Sequence, residues 1–256
     1  MQFVHGAATS YFRARYRLGR GRMSLLLINA PARSGTSLLA NLLCSHPDTV
    51  GYGETKMVYE SPRDIERMVG EVHWTMRRPR MDARYVLDKL VHNELSPRPG
   101  VFDDVSARWI YIVRDPVETV GSLVAYLECT PSTAVAYYIA RLERLAQDAQ
   151  RWGTPVTRFV LTYEELTHTP DATLAALSDF LALPTPLDKE YSLHKKAGDP
   201  GVGDQSERLR AGSISRPPKR RDAALPPEDE EAIRRAHEQC LVTLRQHCTA
   251  TATASA

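Results

Sequence analysis

The sequence predicts an α/β fold, a parallel sheet covered by helices on both faces. Three observations carry that prediction. Continuous apolar runs, the mark of strands buried on both sides, stand at Ser24–Asn29, Ala107–Val113 and 157–161. Amphipathic stretches of helical period separate them, as crossovers between parallel strands require. The first run leads through a turn straight into a helix, which is how a βα unit begins.

The elements follow in order. SLLLIN at 24–29 is a buried strand, and 36–44 is a helix with Leu38, Leu39, Leu42 and Leu43 on one side. A short strand is expected near 49–52. Over 61–100, PRDIERMVGEVHWTMRR and DARYVLDKLVHNEL both read as helical, and SPRPG at 96–100 closes the segment. ARWIYIV at 107–113 is the second strong strand. The helix at 115–126 has a good start, with Asp115 at the N-cap, Pro116 in the first turn and Glu118 at the capping-box position. Residues 131–152 form the longest helix, carrying Val135, Tyr138, Leu142, Leu145 and Ala149 at its period. A third strand at 157–161 and an amphipathic helix at 170–181 come next. Residues 198–222 show Gly, Ser, Pro and Arg in place of periodicity and read as a loop ordered by itself or by a ligand. The helix at 226–247 opens with acids and ends with basic residues, as the helix dipole prefers. The low-complexity end, 249–256, is expected to be a disordered tail, leaving 24–248 as a single domain.

Composition bounds the function. The chain has 256 residues, 33 Lys and Arg against 31 Asp and Glu, and a net charge of only +2. That balance argues against nucleic acid or a membrane as a partner of the whole surface. No run reaches the length of a membrane span, and residues 1–23 lack the apolar centre of a signal peptide, so a cytoplasmic protein is expected. Residues 1–23 contain Arg13, Arg15, Arg17, Arg20 and Arg22 and no acid. They read as a poorly ordered basic extension, with an arm for an anionic surface as the alternative and Met23 as a possible true start. Cys44, Cys129, Cys240 and Cys248 are scattered without CxxC spacing, which points to reduced thiols and to no metal site.

The turn after the first strand asks for a function. Arg33, Ser34, Gly35, Thr36 and Ser37 put one cation, one glycine and three hydroxyls where packing needs none of them. A helix starting near Thr36 points its free N–H groups at the carboxyl edge of the sheet. Gly35 lets the backbone approach an anion, the hydroxyls add donors, and Arg33 adds a fixed charge. This is a cradle for phosphate or sulfate, unless the hydroxyls merely cap the helix. It is not a standard P-loop: Asn29 or Ala30 stands where the first glycine belongs, and no lysine follows Gly35.

PARSGTSLL resembles the 5′-phosphosulfate loop of sulfotransferases that use 3′-phosphoadenosine-5′-phosphosulfate (PAPS), whose usual form is PRSGTTLL or PKSGTTW. IYIVRDPVETVGSL, 110–123, resembles that family's 3′-phosphate element, with Arg114 ending the strand and Ser122 eight residues later. LTYEELTHTPDATLAALSDFLAL, 161–183, is similar to its YEDL…FLGL strand–helix and puts Tyr163 near the nucleotide. The segment 193–221 resembles the loop that closes over PAPS, with Ser213 and Arg216 as its S-x-x-R element. The resemblance implies a three-layer sandwich of the P-loop NTPase-like sulfotransferase fold, PAPS as co-substrate, no metal, and a small hydroxylated molecule as acceptor.

It also implies roles. GYGETK resembles the GE-T-[R/K] element of tyrosylprotein sulfotransferases and many bacterial relatives, which makes Glu54 the general base and Lys56 a cation facing substrate or sulfonate. His73 and His92 are substitutes for that base, because the family's phenol and steroid branch uses a histidine. Arg33 stands where many members have a lysine, and because a guanidinium does not give up its proton its role is electrostatic. Lys89 resembles the DK-x-P lysine that helps the leaving group, although Leu90–Val91 replaces the expected Thr/Ser–Pro. The acceptor pocket is expected from 55–100 and 126–155. Two other functions stay open: a magnesium-dependent nucleotide kinase, for which Asp115 is the ready metal carboxylate, and a non-catalytic nucleotide-binding protein.

Overall fold

Leu25 and Leu27 of the first strand face one layer of helices, and Leu26 and Ile28 face the other. The structure, a computed structural model, describes residues 10–16, 23–151, 157–194, 207–215 and 225–251. Its sheet contains β1 (Ser24–Asn29), β2 (Thr49–Val50), β3 (Tyr85–Leu90), β4 (Ala107–Val113), β5 (Thr157–Thr162) and β6 (Ala250–Thr251). Their order is β2-β3-β1-β4-β5-β6, and every pairing is parallel.

The helices are α1 (residues 10–16), α2 (Thr36–Ser45), α3 (Pro62–Met76), α4 (Pro116–Leu127), α5 (Pro131–Arg151), α6 (Tyr163–His168), α7 (Pro170–Leu181), α8 (Glu207–Arg210) and α9 (Pro227–His247). One core gathers β-strand side chains with Val69 of α3, Val120 of α4, Leu142 of α5 and Ile233 of α9. The other joins the opposite strand faces to Leu39 and Leu43 of α2, Leu166 of α6 and Leu177 of α7. This is the expected three-layer α/β sandwich. The chain runs outward from β1 to β2 and β3 on one side, then crosses to β4, β5 and β6 on the other. Such a reversal opens a crevice at the carboxyl ends of the two strands that flank it, β1 and β4.

Four local expectations change. DARYVLDKLVHNEL is not helical: its centre is β3, paired along its whole length with β1 from Ser24↔Tyr85 to Asn29↔Leu90. The strand hides its nature because both faces are buried while Asp88 and Lys89 interrupt the apolar run. Within the N-terminal extension, α1 is ordered against the body. Phe12 and Tyr16 are buried, and Arg15 donates to the carbonyls of Pro79 and Arg80. In the tail expected to be disordered, Ala250 and Thr251 add β6 beside Phe159 and Val160. Finally, Asp115 caps α4 as expected, accepting from Glu118 N at 2.9 Å, but the Glu118 carboxylate turns to Arg114 and makes no capping box.

All four cysteines are free. Burial pushes the Cys44, Cys240 and Cys248 thiols up to about 12, so they hold their protons at neutral pH. Among the described residues no three His, Cys, Asp or Glu side chains gather as a metal site would need.

Candidate active site

The turn between β1 and α2 lies at the crevice. Arg33 and Gly35 both have left-handed backbone, φ 69° and 88°, and Ser34 between them does not. Alternation of this kind gathers successive N–H groups into a nest suited to an anion. No side chain caps α2, so its first N–H groups stay available. The Ser34 hydroxyl is fully buried and has no hydrogen-bond partner among the described residues. A buried hydroxyl left unpaired costs energy unless a ligand satisfies it. Thr36 and Ser37 are buried at the same helix start. Gly35 is required twice over. Its φ suits glycine, and a Cβ there would lie 2.3 Å from Tyr163 Cδ2.

The second motif meets the first. Arg114, just past β4, lays its guanidinium over the Tyr163 ring at 4.7 Å and reaches the Arg33 carbonyl at 3.5 Å. Glu118 holds it through Nε at 3.1 Å and through a second bond from Nη2. Arg33 in turn donates from Nε to the Ser122 hydroxyl at 3.0 Å and stacks over Tyr126 at 5.2 Å. Strands β1, β4 and β5 thus bring Arg33, Gly35, Arg114, Ser122 and Tyr163 into one cluster. A guanidinium has five donors, so Arg114 can keep Glu118 and still bind an anion.

The catalytic candidates stand on the β3 side. Strand alternation aims Lys89 toward α2, where its Nζ lies 3.5 Å from Ser37 Oγ with only 2% of the residue exposed. A cation is therefore at the cradle, although it comes from a strand and not from the predicted helix. Asp88 points to the opposite face and fastens the loop that carries Glu54. It accepts from Thr55 N at 2.8 Å, Thr55 Oγ1 at 2.7 Å and Tyr59 OH at 2.6 Å. Burial pushes its carboxyl up to about 6 against those bonds. Gly53 turns the chain at φ 95°, and a Cβ on it would come within 3.0 Å of His194 Nε2 and 3.4 Å of Lys89 Cε. Next to it the Glu54 side chain is 7% exposed, with Oε1 3.6 Å from His92 Nε2. The two alternative bases, Glu54 and His92, are neighbours.

Other predicted residues are not gathered. His73 is a core histidine of α3, its Nδ1 3.0 Å from the Val69 carbonyl and its ring against Phe12. Desolvation lowers its pKa. Asp115 caps α4 and lies 3.9 Å from Arg234. Lys56 is exposed, with left-handed backbone. Ser213 forms an antiparallel bridge with Glu190, and Arg216 lies outside the described residues, as does most of the expected covering loop.

Arg141 was not predicted by any motif. It is fully buried in α5 and donates to the carbonyls of Ala30 at 3.1 Å and His92 at 3.4 Å, and to Leu90 O and Asn29 Oδ1. It ties the start of the cradle to the end of β3. Burial pushes it down to about 10, still charged at neutral pH. The only sequence signal was a cation on the apolar stripe of a long helix.

This arrangement of sheet, turn and crevice is the sulfotransferase fold. The chain superposes on the sulfotransferase domain of the Synechococcus PCC 7002 olefin synthase with a TM-score of 0.60 and 16% identity, over 86% of this chain and 94% of that one. It also matches the sulfotransferase domain of the curacin biosynthetic pathway, TM-score 0.49, 16% identity, over 86% and 98% of the two chains. Mouse sulfotransferase SULT7A1 complexed with PAP matches with a TM-score of 0.48 and 14% identity, over 94% and 95%. No protein-family profile matches the sequence. No curated protein is significantly similar to it in sequence.

Proposed function

We propose that the chain is a sulfotransferase that transfers the sulfuryl group of PAPS to a hydroxyl of a small-molecule acceptor by in-line displacement. The observation that carries this reading is the contact between its two anion motifs, with Arg33 bonded to Ser122 and Arg114 reaching the Arg33 carbonyl. One nucleotide phosphorylated at both ends needs two such sites side by side.

On this reading Ser34, Gly35, Thr36 and Ser37 receive the 5′-phosphosulfate, and the orphaned Ser34 hydroxyl gains its partner. Arg114 and Ser122 receive the 3′-phosphate, with Tyr163 beside the nucleotide. Arg33 and Lys89 balance the charge that grows on the leaving phosphate and the sulfonate oxygens. Glu54 takes the acceptor's proton. Ser213 and Arg216 keep the covering role that the family resemblance implies. No described helix is long and apolar enough to cross a membrane, and a cytoplasmic enzyme remains part of the proposal.

Thermal shift tests it. Saturating 3′-phosphoadenosine-5′-phosphate (PAP), at about a hundred times its Kd, should stabilise the fold by about 2.7 kcal/mol and raise Tm by roughly 5–10 °C. Adenosine 5′-monophosphate at the same concentration should do far less. Equal shifts with the two nucleotides, or none with PAP, would overturn the proposal.

A further inference from the structure

We infer that His92 and Tyr137 position the Glu54 carboxylate, so that the base is a three-residue unit drawn from the loop after β2, the end of β3 and α5. The chemical role rests on the sulfotransferase reading above, while the unit itself is argued from its geometry and from the proton Tyr137 keeps.

Glu54 Oε1 is sealed from solvent and accepts no hydrogen bond from any described residue. A carboxylate oxygen in that state needs a donor. His92 Nε2 stands 3.6 Å away, and catalytic contacts of this length commonly tighten when substrate binds. On its other side, His92 Nδ1 lies 2.8 Å from the Tyr137 hydroxyl. Desolvation pushes that hydroxyl up to about 12, so it keeps its proton. The hydroxyl has two acceptors within reach, Nδ1 at 2.8 Å and the Val91 carbonyl at 3.5 Å; with its proton on the shorter bond to Nδ1, the ring proton is left on Nε2, aimed at Glu54. The pivot of the ring is fixed as well, because Arg141 holds the His92 carbonyl at 3.4 Å. Arg141, Glu94 and Tyr126 are the other charged or titratable groups around Tyr137, and Thr55 beside Glu54 is bound to Asp88.

With Nδ1 held by Tyr137 and Nε2–H facing Glu54, His92 is a positioning residue and not the base. It binds Oε1 and leaves Oε2 for the acceptor. As the acceptor oxygen bonds to sulfur, its proton passes to Glu54 Oε2. The bond from sulfur to the bridging phosphate oxygen breaks, and its electron pair stays on the phosphate. Glu54 then holds the proton as a neutral acid until products leave and water takes it.

The test uses PAPS with water as surrogate acceptor, PAP affinity by calorimetry, and 15N-histidine NMR of the protein without and with PAP. His92→Ala should slow PAPS consumption about tenfold or more with PAP affinity held within about twofold. His92→Gln, whose amide N–H replaces Nε2–H, should recover most of that loss. In the nucleotide-free spectrum neutral His92 should be the Nε2–H tautomer, and on adding PAP its Nε2 proton should move downfield as the contact with Glu54 shortens, a movement absent in Glu54→Ala. Tyr137→Phe should admit the Nδ1–H tautomer. A His92→Gln enzyme as slow as His92→Ala, or a tautomer indifferent to Glu54 and Tyr137, would overturn the unit while leaving the sulfotransferase reading intact. If wild type neither binds PAP nor consumes PAPS, that reading fails instead, and the spectra still decide whether the unit exists.

Discussion

Arg33 donates to the Ser122 hydroxyl at 3.0 Å, joining a turn to a helix 89 residues away in sequence. The bond places the β1–α2 turn and the α4 helix in one cleft. It also brings together two motifs that are recognisable only separately in the sequence.

Arg114→Ala and Ser122→Ala should each weaken PAP by about tenfold or more, the scale of a hydrogen bond to a charged group. Adenosine 5′-phosphosulfate, which lacks the 3′-phosphate, should bind nearly unchanged. Calorimetry with both ligands makes the comparison, and equal losses would remove Arg114 and Ser122 from the 3′ site.

Gly35→Ala should damage both fold and site. The new methyl would meet Tyr163 Cδ2 at 2.3 Å, on a backbone whose φ of 88° strains any other residue. Thermal unfolding should show a loss of about 1–3 kcal/mol, with PAP binding abolished. Adding Tyr163→Ala should relieve the clash only in part, because the backbone strain remains. Full recovery in the double variant would show that the φ carries no cost.

Glu54→Gln keeps the shape of the side chain and removes its basicity. The rate of PAPS consumption should fall at least about tenfold while PAP affinity is retained. Loss of affinity in step with rate would make Glu54 a binding residue, and an unchanged rate would show that Glu54 is not the base.

Asp88 should impose an unusual pH dependence on stability. Desolvation raises its folded pKa to about 6 from 3.8, so between those values the folded state holds a proton that the unfolded chain has shed. Its contribution is complete below about 4 and is lost as pH rises through 6. Urea unfolding at several pH values should show wild type losing stability across this window relative to Asp88→Asn. Parallel curves would show that the bonds from Thr55 and Tyr59 keep the carboxylate ionised throughout.

Much of the cleft was legible because its motifs are local. SLLLIN, the hydroxyl-rich turn and the leucine face of α2 are contiguous, and so are ARWIYIV, Arg114 and the capped start of α4. The β3 segment was not legible. Tyr85, Leu87 and Lys89 alternate with Val86, Asp88 and Leu90, but a strand apolar on both faces gives no clear period, and two charges in six residues look like a helix surface. Asp88 and Lys89 are tolerated there because one finds Thr55 and Tyr59 and the other lies by Ser37. Those partners come from other parts of the chain.

By itself the sequence determined the layer architecture and the strand–turn–helix units that carry Arg33, Arg114 and Ser122, and it singled out Glu54 as a candidate base. Such features reside in runs of neighbouring residues, where periodicity, capping and backbone freedom act over a few positions. Only tertiary structure decided that Lys89 reaches the cradle, that Arg141 ties Ala30 to Leu90 and His92, and that Glu54 meets His92 and Tyr137. Strand order and parallel register set those meetings, and both are fixed by burial across the whole sheet, which no local stretch of chain encodes.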